Sequence, residues 1–153
     1  MSDEIDPILE KIARSGIISL TRKERRNLTK AREKMPDFVT FNGYAGQYVT
    51  HPLTAKPGEL VRFWIVDAGP SLDTDFHIVG TVLNTAYPFS AMDPKTALHN
   101  VQTVTVPAGG GGVFDVKIDK PGLYPFVSHA FSAVDEGQVG VLDVGNVKGT
   151  ISH

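Results

Sequence analysis

The stretch that decides the fold is GLYPFVSHAFSAVDEGQVGVLDVG, from Gly122 to Gly145. It contains two apolar runs rich in Val, Phe and Leu, and a short polar segment separates them, as in two β-strands joined by a loop. Ser128 and His129 stand where the first run ends, with Phe126 and Phe131 close on either side. The histidine is therefore a candidate metal ligand, a candidate catalytic group, or a polar residue at the end of a strand.

Similar runs fill the chain from Asp37 onward, and turn signals such as KPGE, DAGP, PAGGGG and DKPG separate them. The runs are FVTFNG, ELVRFWIVDAG, DFHIVGTVLNTAY, VQTVTVP, GVFDVKI, GLYPFVSH and GQVGVLDVG. Seven or more short strands in about 110 residues predict an antiparallel sandwich or a Greek-key barrel. The GGGG at 109–112 has no following helix and no GK[ST], so we interpret it as a turn and not as a phosphate-binding loop.

The beginning of the chain has a helical pattern instead. Four apolar residues recur at helical spacing and form one face of an amphipathic helix: Ile5, Ile8, Leu9 and Ile12. Gly16 is the expected stop of this helix. Thr21 precedes Glu24 by three residues, which is the capping-box signature of a second helix that runs to about Lys34 and ends before Pro36. The prediction is an α-helical hairpin.

Charge divides the chain at the same place. Residues 1–36 hold nine of the fifteen Lys and Arg and six of the seventeen Asp and Glu, a net charge of +3. The remainder holds six basic and eleven acidic residues, a net charge of −5. We therefore predict a helical hairpin appendage at 1–36, a β domain at 37–147 and a flexible tail at 148–153.

Composition excludes several classes of protein. The chain has no cysteine, which excludes disulfides, thiolate zinc sites, cysteine nucleophiles and thiolate-bound copper. No apolar run approaches the roughly eighteen residues that a membrane-spanning helix needs. The acidic start MSDEIDPILEK lacks the pattern of a secretory signal. The expected location is cytoplasmic, or periplasmic and exported if the chain is a processed form.

The second helix is basic, with seven Lys and Arg against two Glu in residues 17–34. Such a helix can dock on an acidic partner, an anionic membrane surface or RNA. We favour a solvated charged face over contact with a membrane surface. No nucleic-acid partner is expected, because no aromatic residues are interleaved with the basic ones.

The five histidines differ in their surroundings. His153 ends the chain, and His51 and His99 are expected in loops, whereas His77 and His129 lie in hydrophobic strand contexts. Imidazole is a common ligand of copper and zinc, and it titrates near neutral pH, which suits it to proton transfer. The alternative is a pair of half-buried histidines that hydrogen-bond to the backbone.

A hydrolase that uses Ser128 and His129 is not expected. Adjacent residues of a strand point to opposite faces, so the imidazole could not easily act as base for that hydroxyl. No G-x-S-x-G elbow is present either.

The motifs FNG, LTAKPGE, DAGP before FH, NVQT, PAGG, PGLYPFVSH and GVL follow one another in an order that resembles a cupredoxin domain. More closely, they resemble the second, C-terminal domain of copper nitrite reductases and related two-domain multicopper oxidases. The resemblance covers roughly Phe38 to Gly145, about 70% of the chain. It implies a mainly β protein, a cupredoxin-like Greek-key β-sandwich preceded by the helical hairpin.

The blue-copper pattern of cupredoxins, Y-x-F-x-C…H…G-M-x-G, is altered here. Ser128 stands at the position of the thiolate ligand and Gln138 at that of the methionine. A serine hydroxyl cannot replace the soft thiolate that suits such a site, so no type 1 copper is expected. The same loss is normal in the second domain of the nitrite reductases, where the first domain carries the type 1 site.

In that family the second domain contributes two histidines across a trimer interface to the copper site on a neighbour's first domain. By matching motifs, His129 corresponds to the ligand and His77 to the catalytic histidine that orients substrate and relays protons. In the multicopper oxidases of this build both positions can bind copper. The resemblance thus implies a type 2-like copper held by His77 and His129, in a homo-oligomer with a trimer favoured, or with a partner chain that carries a complementary cupredoxin domain.

Two imidazoles are fewer than the three or four protein ligands of a stable site. Asp73, Asp75 and Ser128 are near the two histidines in sequence and could add oxygen ligands. Two hypotheses therefore stand. The chain is a copper protein, active as an oxidoreductase of the nitrite reductase or multicopper oxidase type only with a partner that completes the site. Alternatively, it is a metal-free module that uses its sandwich and helices for protein–protein interaction.

Overall fold

A computed structural model describes residues 2–32 and 36–147, without the side chains of residues 2–6 and 30–32. The chain divides into two compact units, Met1–Asp37 and Phe38–His153. The flexible tail predicted for 148–153 lies outside the described residues. None of the described helices combines the length and the hydropathy that crossing a membrane requires.

The first unit is a helical hairpin, as predicted. Helix α1 covers Ser2–Ser15, a 3₁₀ turn covers Ile17–Ser19, and helix α2 covers Arg22–Arg32. Gly16 ends α1 with a φ of 75°, in the left-handed region that glycine adopts readily, and its N–H donates to the Ile12 carbonyl at 2.8 Å.

The predicted capping box at the start of α2 is confirmed. The Thr21 N–H donates to Glu24 Oε2 at 2.6 Å, and the Glu24 N–H donates to Thr21 Oγ1 at 3.2 Å. Lys11 Nζ of α1 donates to both carboxylate oxygens of Glu24 at 2.9 Å. These hydrogen bonds, that of Lys11 above all, lower the pKa of Glu24 from 4.5 to about 2. One carboxylate therefore caps α2 and ties it to α1.

The second unit is a β-sandwich with nine strands in its described part. The strands are β1 His51–Ala55, β2 Leu60–Val66, β3 Thr74–Ile78, β4 Leu83–Pro88, β5 Leu98–Val101, β6 Thr103–Val106, β7 Gly111–Lys117, β8 Gly122–Ser128 and β9 Val139–Val144. Two short helices, α3 Gln47–Thr50 and α4 Phe131–Asp135, precede β1 and follow β8. One sheet has the strand order β1-β9-β8-β3-β6 and the other β2-β7-β4-β5. The pair β1–β9 is parallel and the other pairs are antiparallel. The predicted mainly β sandwich is confirmed.

Aromatic rings fill the space between the sheets. Phe76 of β3 stacks on Phe114 of β7 with ring centroids 5.2 Å apart, and Phe63 and Phe126 pack around them. Gly140 of β9 leaves room for this packing, because a Cβ there would collide with the Phe126 ring. The rings thus join both sheets into one core.

Several predictions about individual strands are wrong. The run FVTFNG forms no strand, and its Phe41 instead packs its ring against Phe126 at 5.3 Å. The run DFHIVGTVLNTAY is two strands in different sheets, β3 and β4, because Gly80 at a φ of 84° turns the chain between them. The run VQTVTVP likewise contains β6 and the end of β5. His51 and His99, expected in loops, begin β1 and lie within β5, and both are exposed.

Candidate metal centre

Strands β3 and β8 bring the two histidines together. Their antiparallel register pairs Phe76 with Ser128 and His77 with Val127. Because side chains alternate along a strand, Phe76 and Ser128 face the core while His77 lies on the outer face. His129 follows β8 directly, and its N–H donates to the Asp75 carbonyl at 2.8 Å, which continues the pairing by one residue.

The two imidazole rings lie against each other at this end of the sheet. Their centroids are 5.0 Å apart and their planes are inclined by 49°. His77 Nδ1 lies 2.8 Å from the Gln102 carbonyl oxygen, which can only accept, so Nδ1 carries the proton. In the neutral ring Nε2 then keeps a free lone pair. In the described part of the chain no group hydrogen-bonds to the exposed His129 ring.

Phe131 covers one side of His129. The two ring centroids are 5.6 Å apart, and Phe131 is the first residue of α4. The phenyl ring is itself 64% exposed. The histidine pair therefore has an apolar neighbour that also faces outward.

The three suggested oxygen ligands differ in whether they could bind a metal beside the histidines. Ser128 is fully buried, and its Oγ accepts the Asp75 N–H at 3.1 Å, so Ser128 as a ligand beside the histidines is wrong. Asp73 Oδ1 accepts the Ala108 N–H at 2.9 Å, a hydrogen bond between two loops. Asp75 lies two residues before His77 on the same strand face, where its Oδ1 accepts from Thr105 Oγ1 at 2.6 Å. Among the residues described, no group of three or more His, Asp and Glu could hold a metal ion.

Ser128 and Gln138, which the motif resemblance aligns with the Cys and Met of blue-copper proteins, lie inside the sandwich. Gln138 is buried, and its Nε2 donates to Thr74 Oγ1 at 2.9 Å. Its Oε1 is buried without a hydrogen-bond partner in the described structure. With Ser128 at the other position, this interior offers a hydroxyl and an amide where a blue site needs sulfur.

Sequence reasoning missed the Gln102 carbonyl that orients His77. Residue 102 separates two short strands, and only the pairing of β3 with β6, His77 opposite Thr103, brings its carbonyl to the ring. Phe131 carried a signal, because it follows His129 closely in an otherwise small and polar loop.

Curated proteins and solved structures resemble the β-sandwich. The chain is 37% identical over 120 residues to the copper-containing nitrite reductase of Neisseria gonorrhoeae, which covers 77% of this chain and 30% of the relative. The nitrite reductase of Neisseria meningitidis gives the same values. The chain thus spans less than a third of the length of the curated relatives it matches.

Solved structures of similar enzymes share the fold of this chain. The copper nitrite reductase of Nitrosomonas europaea superposes with a TM-score of 0.70 at 26% identity, over 82% of this chain and 46% of that one. The enzyme of Thermus scotoductus gives a TM-score of 0.71 at 25% identity, over 81% and 29%. A multicopper oxidase shares the fold at 24% identity with a TM-score of 0.65, over 71% of this chain and 38% of that one. Residues 1–31 match the model of a family of unknown function, DUF6576. The chain therefore carries a cupredoxin-like domain that resembles those of copper nitrite reductases and multicopper oxidases.

Proposed function

We propose that this protein supplies His77 and His129 to a type 2-like copper site at a subunit or partner interface, without a type 1 copper. The remaining ligands would come from another subunit, a homotrimer being favoured, or from a partner chain with a complementary cupredoxin domain. The observation that carries the proposal is the outward-facing pair of imidazoles with centroids 5.0 Å apart.

The donor set suits copper. Imidazole nitrogen is a preferred ligand of copper, and histidines that bind metals usually donate their other N–H to a carbonyl or carboxylate, as His77 does to Gln102. That hydrogen bond fixes the tautomer and leaves the Nε2 lone pair of His77 free to bind a metal. His129 is exposed and His77 is half-buried on the outer face of the sheet, which leaves room for ligands from a second chain.

The chain's own residues have distinct roles in this proposal. Bound copper would supply a Lewis-acid and redox centre with an open position for a small ligand such as nitrite or oxygen. When Nε2 of His77 is not bound to the metal, it can hold or release a proton, while Nδ1 stays anchored on the Gln102 carbonyl. Phe131 shields one side of His129 from water. Turnover as a copper-dependent oxidoreductase would require the partner that completes the site.

Titration of Cu²⁺ into metal-stripped protein tests the proposal. We expect binding much tighter than about 1 mM, a strong loss of affinity in His129→Ala and His77→Ala, and no loss in the matched control His51→Ala, an exposed histidine on β1. Binding no tighter than millimolar, or equal in wild type and His129→Ala, would refute it.

Binding no tighter than millimolar would favour the metal-free module. In that case deletion of residues 1–35 should change the number of chains in the oligomer or the binding of a partner. An unchanged number of chains and unchanged binding would count against a connecting role of the helices.

A further inference from the structure

Strand β2 leaves an apolar edge open on the second sheet. It is the first strand in the order β2-β7-β4-β5, so its far side pairs with no described strand. Its outward side chains include Leu60, Trp64 and Val66, which are 60%, 65% and 81% exposed. Free N–H and C=O groups beside exposed apolar side chains are a template for pairing with another strand.

The other three sheet edges carry protection that β2 lacks. Edge strand β1 contains Pro52, which cannot donate to a ladder. Edge strand β5 has four residues and is distorted by Asn100, whose φ is 54°. Edge strand β6 also has four residues, exposes Thr103 and Thr105, and ends before Pro107. Strand β2 has seven residues, LVRFWIV, with neither Pro nor Gly.

The charged side chains near β2 are held by other groups and do not oppose pairing of its edge with another strand. Its only charged residue, Arg62, is held by Asp115 of β7, with Nε to Oδ1 at 2.6 Å and a terminal nitrogen to Oδ2 at 2.8 Å. Glu59 and Asp67 flank the strand, and each carboxylate accepts a backbone N–H of its own turn at 2.8 Å. The edge therefore presents a neutralised guanidinium between apolar residues.

We propose that β2 pairs antiparallel with β2 of a second copy of this chain, about a twofold axis at Phe63. The cross-strand pairs would be Leu60 with Val66, Val61 with Ile65, Arg62 with Trp64, and Phe63 with its own copy. Each apolar residue thus meets an apolar one, and each arginine meets the face of an indole. The two sheets of four strands join into one sheet of eight.

This register is favoured over its neighbours. A shift by one residue would place outward-facing residues opposite inward-facing ones, because the side-chain period of a strand is two. In one direction Trp64 would meet Val61, and in the other Val66 would meet Val61. Antiparallel pairing of identical strands is self-complementary, so the contact closes as a twofold dimer and does not propagate. Since β2 belongs to the other sheet from His77 and His129, the contact leaves the histidine face free.

Oligomeric mass and tryptophan fluorescence test the contact, because Trp64 is the only tryptophan of the chain. We expect a mass that is an even multiple of 16.6 kDa in metal-free buffer. Trp64 emission should shift to shorter wavelength and its quenching by acrylamide should weaken as protein concentration rises. Val66→Lys should halve the mass and abolish both concentration effects. Leu98→Lys, at an exposed apolar residue on the opposite edge strand β5, should change neither.

Disulfide trapping tests the register, because the chain has no cysteine of its own. An oxidised mixture of Leu60→Cys and Val66→Cys chains should give mixed dimers. Each variant alone should give few, because the two copies of residue 60 would lie about 20 Å apart. A wild-type mass that Val66→Lys leaves unchanged, with far-UV circular dichroism showing both folded, overturns the proposal. Trapping as efficient in Leu60→Cys alone as in the mixture overturns the register.

Discussion

Ser128 and His129 are adjacent but belong to different environments. Ser128 is fully buried and its hydroxyl accepts the Asp75 N–H, whereas His129 is exposed and its ring makes no hydrogen bond within the described structure. The backbone of His129 holds the Asp75 carbonyl whatever the side chain is. Ser128 therefore contributes to the stability of the fold, whereas the His129 ring is available to bind a ligand.

Substitution by alanine at the two positions should separate stability from metal binding. Ser128→Ala leaves the Asp75 N–H without its acceptor and should lower the free energy of unfolding by about 1–2 kcal/mol. His129→Ala should change it by less than about 0.5 kcal/mol while removing copper binding. Urea denaturation of both variants measures the first quantity, and copper titration the second. A His129→Ala variant as destabilised as Ser128→Ala would show that the ring is structural.

Gly140 is a second residue whose role is set by packing. A Cβ at this position would collide with the Phe126 ring and would lie 2.7 Å from Tyr48 Cβ. Gly140→Ala should therefore lower the free energy of unfolding by about 1–3 kcal/mol, the range of overpacked cores. Gly122→Ala is the matched control, because the nearest atom there is a Tyr124 ring carbon at 3.2 Å. Equal midpoints for the two variants in thermal unfolding would contradict this account.

At the scale of elements, the start of α2 depends on the charge of Glu24. Its carboxylate accepts hydrogen bonds from Lys11 and Thr21, which lower its pKa to about 2 from 4.5. A group whose pKa is depressed in the folded state stabilises that state above its unfolded pKa. Protonation therefore removes this contribution as the pH falls from about 4.5 to about 2.

This carboxylate should be visible in an acid titration followed by NMR. We expect its side-chain carbon to titrate near pH 2 in wild type and closer to 4.5 in Lys11→Met, because Lys11 is the main cause of the shift. The amides of α2 should lose protection from exchange over the same acid range. Glu24→Gln, which keeps the side-chain length but not the charge, should remove that pH dependence. A titration midpoint unaffected by Lys11→Met would refute the assignment.

The elements also show what the sequence could and could not reveal. The capping box and the helix stop at Gly16 were predictable, because their partners lie within four residues. The separation of β3 from β4 into different sheets was not, since an apolar run carries no sign of which sheet each half joins. At the site, strand context and motif order selected His77 and His129 as candidates. The orienting carbonyl of Gln102 depended on pairing between strands distant in sequence.

For the whole molecule, the proposed half-site would link copper binding to assembly. Within the described residues the chain offers two imidazoles and no cluster of three ligands. If other copies of the chain supply the missing ligands, each bound copper requires more than one chain. Copper then binds the assembled form in preference to the free chain and stabilises it by mass action.

The apparent affinity for copper should therefore depend on protein concentration. We expect the free copper concentration at half-saturation to fall severalfold when the protein concentration rises about tenfold, and the oligomeric mass to rise with saturation. His129→Ala should abolish this dependence. Val66→Lys should retain it, because β2 lies in the sheet away from the histidines. Measured by equilibrium dialysis at several concentrations, an affinity that stays constant would exclude completion by copies of this chain. The missing ligands would then have to come from a different partner chain.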